Sequence, residues 1–214
     1  MGPRVMMYLL PLVLVGVSRL GAEGVFRLLP ARAAIPATLP IYYMAIALSL
    51  LWVRKAVPGA QGAPSLYSGR RPSARRVILA VVLPALPLAV FFSLKLAPVA
   101  PAAVAVVLVF SAVNACFEET FWRGLMVHLP APDWVRILYP AAVFSFMHWF
   151  NMAPYIPLSA RTYVVMVLST FALAVVWMWF QLRERSLIYP IASHFAIDAF
   201  ALLSLAMQAH ARPM

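Results

Sequence analysis

The sequence lacks most of what a soluble enzyme uses freely. It holds one cysteine, Cys116, in 214 residues, which excludes an intramolecular disulfide and any cysteine-cluster metal site. Acidic residues number only 6, and charged residues make up 11% of the chain; a soluble domain carries roughly 25%. Lysine occurs twice, as Lys55 and Lys95. No internal repeat or low-complexity tract breaks the chain, so a solenoid, a fibre and a duplicated transporter of inverted halves are all disfavoured. Cys116 itself reads as a small core residue.

What remains is apolar, at 64% of all residues. That composition belongs to a polytopic membrane protein, expected to be all-α, with residues 1–214 forming a single integral-membrane domain. The 17 basic residues outnumber the 6 acidic ones, but they fall between apolar runs. Lipid head groups and topology signalling therefore account for them, and nucleic acid is not an expected partner.

A helix needs about 20 apolar residues to cross the hydrocarbon core. By that measure about seven spans are expected, with a range of six to eight, and with the active site inside the membrane. The first runs from about Val5 to Leu29 and reads as a retained helix rather than a cleaved signal. Its Arg19, Glu23 and Arg27 share one face at four-residue spacing and are expected to emerge into the interface. The second, Ile35 to Val53, carries Tyr42, Tyr43 and Trp52 as expected interface anchors. The loop 54–76 follows, with Arg54, Lys55, Arg70, Arg71, Arg75 and Arg76 and no acidic residue. It is expected to be cytoplasmic, which places the N-terminus in the cytoplasm as well. A third run, Val77 to Leu94, contains Pro84 and Pro87. The fourth extends from Val99 or Pro101 to Leu129, and the fifth, with Asp133 as its expected cap, reaches Asn151. The sixth runs from about Arg161 to Leu182 and the seventh from about Ser186 to Gln208. The motif-bearing core is 99–208.

Few ionisable side chains lie away from the ends of these spans: Glu118, Glu119 and Arg123 on the fourth, His148 on the fifth, His194 and Asp198 on the seventh. Charge at membrane depth is costly, by a few to more than ten kcal/mol according to method. Glu119 and Arg123 are four residues apart and can pair. Glu118 points about 100° away, which leaves it as the freer carboxylate. His194 and Asp198 share a face, as do Phe144 and His148. At 1.5 Å per residue, Glu118, His148 and His194 lie about 16, 22 and 12 Å from the cytoplasmic ends of their helices, so one cluster is allowed.

Glu118-Glu119-x-x-x-Arg123, Phe144-x-x-x-His148 and His194-x-x-x-Asp198, in this order, resemble the three motifs of the CAAX-protease and bacteriocin-processing (CPBP, or Abi) intramembrane endopeptidases. The resemblance covers about Val99 to Leu203. It implies peptide-bond hydrolysis at the membrane, with Glu118 activating water, His148 cooperating with it, and His194 and Asp198 stabilising the oxyanion. Glu119 and Arg123 would support them. The residues suit such chemistry, since amide hydrolysis needs a base for water and donors where charge develops on oxygen. No Ser-His-Asp order is evident, and Cys116 faces away from Glu118.

No cofactor is required by this scheme. A divalent cation such as zinc could be held by Glu118, His148, His194 and Asp198, although the His-Glu-x-x-His spacing of zinc proteases is absent. The expected partners are the lipid bilayer and a membrane-associated protein or peptide, cut near its C-terminus or a transmembrane end. Its tail could be prenylated, bacteriocin-like or a sorting signal. The Arg- and Ala-rich, Lys-poor composition points to a bacterial cell (inner) membrane, which weakens the prenylated option. The rival readings are a small proton-coupled transporter, for which buried Glu, Asp, His and Arg would also serve, and a non-catalytic scaffold or immunity factor.

Overall fold

The computed structural model describes residues 2–29, 31–56, 73–78, 82, 86, 100–155 and 159–210. All regular structure among them is helical. The helices are α1 (Pro3–Leu28), α2 (Ala31–Ala56), a short α3 (Ala74–Val77), α4 (Pro101–Glu119), α5 (Asp133–Met152), α6 (Ala160–Glu184) and α7 (Ile188–His210). Among the described residues four stretches are long and apolar enough to cross a membrane: Arg4–Leu28, Ala37–Ala56, Pro101–His128 and Ala160–Glu184. Ile188–Ser204 is a shorter apolar helix. Most of the expected third span and most of the basic loop lie outside the described residues.

Local sequence accounts for the helix ends. Pro3 and Pro101 occupy first-turn positions of α1 and α4, where a missing N–H costs nothing. The Ser159 hydroxyl accepts from the Thr162 N–H and starts α6. Arg185, at a left-handed φ of 53°, stops it. Asp133 is not the cap expected of it. Pro132 holds that position, and Asp133 sits in the first turn of α5, 3.5 Å from Arg136.

α4 does not simply end at Glu119. It continues as a π-helical turn, Thr120–Leu125, and a 3-10 turn, Met126–His128. At the junction two donors of Thr120 meet the same carbonyl. Thr120 donates its hydroxyl to Cys116 O at 2.6 Å, while its own N–H is shared between Cys116 O and Phe117 O. Phe121, Trp122, Arg123, Gly124 and Leu125 are all buried, so this turn is enclosed by protein on every side. The first part of α4 presents exposed Val106 and Val109, as a lipid-facing helix should.

α1 and α5 run in the same direction. The Tyr8 hydroxyl donates to Pro130 O at 3.0 Å and Tyr139 donates to Tyr8 O, which joins their first halves. At the other end Phe26 stacks on Tyr155 at 3.7 Å. There Arg19 pairs with Glu23 at 2.8 Å and donates to Phe150 O. The Arg19–Glu23 pair is therefore packed against α5 and does not simply emerge into the interface. Between α1 and α2 the approach is close at Gly21, where a Cβ would come 2.8 Å from Ile41 Cγ2; small residues allow such helix contacts in membranes.

Arg76 pairs with Glu184 at 2.6 Å. His128, Asp133, Arg136, Gln181 and Arg185 line one recess. The start of α1, the start of α5 and the end of α6 thus share one end of the bundle, together with Arg76, His128, Arg136 and Arg185. This is the same-side grouping that alternating spans require. Cys116 departs from expectation: it is exposed on the outside of the bundle, not in the core.

Candidate active site

Two helices supply the core of the ionisable cluster. Glu118, Glu119 and Arg123 come from the end of α4 and its π turn, and His194 and Asp198 from α7. Glu119 is fully enclosed. One of its oxygens, Oε1, is ion-paired with Arg123 Nη1 at 3.0 Å and accepts from His194 Nδ1 at 2.8 Å; Oε2 has no hydrogen-bond partner among the described residues. The Arg123 guanidinium is held between two rings, 4.5 Å from the Phe144 centroid and 4.9 Å from that of Trp177. Trp177 also stacks on the His194 imidazole at 5.1 Å, and its Nε1 donates to Ser193 Oγ. The result is a buried anchor that fixes one nitrogen of His194.

The other nitrogen, Nε2, lies 3.5 Å from Glu118 Oε2 and 3.5 Å from Asp198 Oδ1. Nδ1 donates to a carboxylate, so Nε2 carries a second proton in the imidazolium form and then serves as a donor. Asp198 is oriented by Asn114, whose Nδ2 donates at 2.8 Å. Asn114 in turn accepts from the Tyr43 hydroxyl at 3.0 Å. Three carboxylates therefore surround the His194 imidazole, and one of them, Glu119, also meets the guanidinium.

Glu118 is also buried, at 4% exposure, but its surroundings differ. It borders a cavity of about 240 Å³ whose walls include Tyr42, Asn114, His148, Asn151 and Tyr155. His148 faces this same cavity. Its Nδ1 is 2.8 Å from Phe144 O; a carbonyl only accepts, so Nδ1 carries the proton and Nε2 of the neutral ring is left as an acceptor. Phe144 meets His148 edge-on at 4.5 Å, as the four-residue spacing on α5 predicts. The structure thus brings Glu118, Glu119, Arg123, His194 and Asp198 into direct contact. His148 joins them through the cavity shared with Glu118.

Two residues outside the motifs complete the arrangement. The Tyr42 hydroxyl hydrogen-bonds the Glu118 carboxylate and accepts from Trp122 Nε1 at 3.3 Å. Tyr42 is a core residue, and Tyr43 reaches Asn114; neither acts as the interface anchor expected from its apolar surroundings. Trp177, stacked on the His194 ring, aligns it. Among the described residues, no group of three or more His, Cys, Asp or Glu side chains is arranged to hold a metal ion.

A bundle of long apolar helices around an enclosed carboxylate–histidine cluster defines an integral membrane protein with a polar centre inside it. Residues 100–200 match the family model described as Rce1-like, type II CAAX prenyl endopeptidase. That stretch carries all three motifs and is similar to this family, consistent with the CPBP group. The family it resembles is one of CAAX-type membrane proteases, which are hydrolases. No curated protein and no solved structure matches the chain.

Proposed function

We propose that the protein is a glutamic-type intramembrane endopeptidase that cuts a membrane-associated protein or peptide near its C-terminus or a transmembrane end. The observation that carries this reading is the shared cavity of Glu118 and His148, with His194 Nε2 3.5 Å from Glu118 at its edge. Water in the cavity gives a proton to Glu118 as it attacks the scissile carbonyl. The neutral Nε2 of His148 accepts a hydrogen bond from the same water and holds it in line. The imidazolium of His194, aligned by Glu119 and flanked by Asp198, donates from Nε2 to the developing oxyanion. Glu118 then returns its proton to the leaving amine. Every group named belongs to the chain, and no step passes through a metal.

The basic end of the bundle, with Arg76, Arg136 and Arg185, fits a cytoplasmic face by the positive-inside rule; a bacterial inner membrane with a cytoplasmic N-terminus is the corresponding location. Comparative proteomics of membranes from wild-type and Glu118→Gln cells tests the activity and identifies the substrate. A membrane protein whose C-terminal fragment remains attached only in the variant is the expected result. Identical fragment patterns, with the variant present at wild-type level, would remove the peptidase reading and leave the proton-coupled transporter to be tested by flux in liposomes.

A further inference from the structure

The cavity beside Glu118 and His148 contains polar groups that the chemistry above does not use. His148, Asn151 and Tyr155 follow one another on α5 and just past its end, at spacings of three and four residues, so they lie on one side of the helix. Asn151 and Tyr155 both line the cavity. Asn151 Oδ1 and the Tyr155 hydroxyl are buried, and neither has a hydrogen-bond partner among the described residues. Buried polar atoms are normally paired, and leaving one unpaired costs about 1–3 kcal/mol. Two of them in one cavity, next to an unpaired oxygen of Glu118, mark a surface prepared for a polar occupant.

Geometry selects the occupant. Four helical residues advance about 6 Å, and two residues of an extended chain advance about 6.6 Å. An extended peptide lying along α5 therefore presents backbone groups of alternate residues to Asn151 and Tyr155 while its next bond reaches His148 and Glu118. The remaining walls mix apolar Ala22, Phe26, Leu39 and Met147 with polar Ser18, Thr38, Tyr42 and Asn114. Recognition through main-chain hydrogen bonds is how an extended segment is held with limited regard to its side chains. The Tyr155 ring is already fixed by stacking on Phe26 at 3.7 Å, so its hydroxyl is held in place before anything binds.

We infer that Asn151 and Tyr155 form a peptide-backbone subsite that binds an extended segment of the substrate flanking the cleaved bond. This rests on the peptidase reading for the identity of the occupant, and binding is therefore measured separately from cleavage. The probe is a dansyl-labelled, farnesylated peptide with a three-residue aliphatic tail, titrated in detergent against the purified Glu118→Gln protein. Asn151→Leu and Tyr155→Phe, added singly, each raise the Kd about five- to tenfold, the loss of one hydrogen bond. Tyr155→Phe keeps the stacked ring, so a folding defect is not expected from it. A series of probes each N-methylated at one tail position supplies a measurement that needs no change to the cavity. One position weakens binding about fivefold, and that penalty disappears in Asn151→Leu, as non-additivity requires of two groups in contact. Unchanged Kd in both variants, or an N-methyl penalty of equal size with and without Asn151, overturns the subsite. Cleavage of the same probe by the wild-type protein is scored independently: tight, Asn151-dependent binding without cleavage would preserve the subsite and count against the peptidase.

Discussion

Glu118 and Glu119 are adjacent in sequence and both buried, yet they occupy opposite halves of the cluster. Glu119 is tied through one oxygen, Oε1, to Arg123 at 3.0 Å and His194 at 2.8 Å, and it does not line the cavity that Glu118 borders. Glu118 has the Tyr42 hydroxyl, a longer approach to His194, and open volume in front of it. A carboxylate that neutralises a buried guanidinium cannot leave it without exposing an unpaired charge to low dielectric. A carboxylate beside a cavity can exchange partners with water. One turn of α4 thus supplies a structural anion and a reactive one, and the difference is made by the 100° between successive residues.

Glu118→Gln tests the reactive half and has the largest expected effect. Peptide cleavage falls about a thousandfold, the usual scale for loss of a general base. The thermal unfolding temperature in detergent stays near wild type, because Gln is isosteric and the anchor is untouched. Wild-type turnover in this variant would end the assignment. Glu119→Gln tests the other half and combines two losses. Arg123 loses its buried counter-ion, a cost on the order of 3–5 kcal/mol, and His194 loses the acceptor that aligns it. Both the unfolding temperature and cleavage fall, the latter about a hundredfold. If Glu119→Gln proved as stable as Glu118→Gln, the two halves would not differ as described.

Part of this was legible in the sequence. Helical spacing alone separates Glu118 from Glu119 and pairs Glu119 with Arg123. The order of the motifs on three helices predicts that His194 and Asp198 come near them. The contact of His194 Nδ1 with Glu119, 75 residues away, could not be read, because it depends on how α7 is rotated against α4. Tyr42 was misread for a related reason. An aromatic residue in an apolar run near a membrane edge resembles an anchor until the depth and rotation of its helix are known. The π turn was equally hidden, since Thr120 bonds its own backbone in many sequences without unwinding the helix. For Cys116 the signal was present: it lies two positions before Glu118, roughly 200° around the helix, so a buried Glu118 implies an outward Cys116.

A smaller effect is expected at the polar shell behind the reactive half. Tyr42→Phe removes one oxygen, which leaves Trp122 Nε1 without its acceptor and Glu118 without its donor. The kcat for peptide cleavage falls about tenfold, equivalent to ~1.4 kcal/mol, with KM little changed because Tyr42 acts through Glu118. Tyr43→Phe is the matched control. Its hydroxyl reaches Asp198 only through Asn114, and the Asn114–Asp198 bond survives its loss, so a reduction of about threefold is expected. Equal effects in the two variants would show that the hydroxyls support packing generally rather than Glu118 in particular.

The smallest effect is expected on the outer face of the same helix. Cys116 lies two residues from Glu118 and is exposed on the bundle surface within an apolar span. Its neighbours along that surface would be lipid chains, and its side chain has no part in the cluster. Cys116→Ser should keep both cleavage rate and unfolding temperature, with activity within about twofold of wild type. A thiol reagent distinguishes this from simple tolerance of serine. In intact membranes a lipid-soluble maleimide should label Cys116 without loss of activity, while a charged, water-soluble thiosulfonate should not reach it. Inactivation by the lipid-soluble reagent would mean that the outer face of α4 communicates with Glu118, and the sharp division between the two sides of that helix would have to be withdrawn.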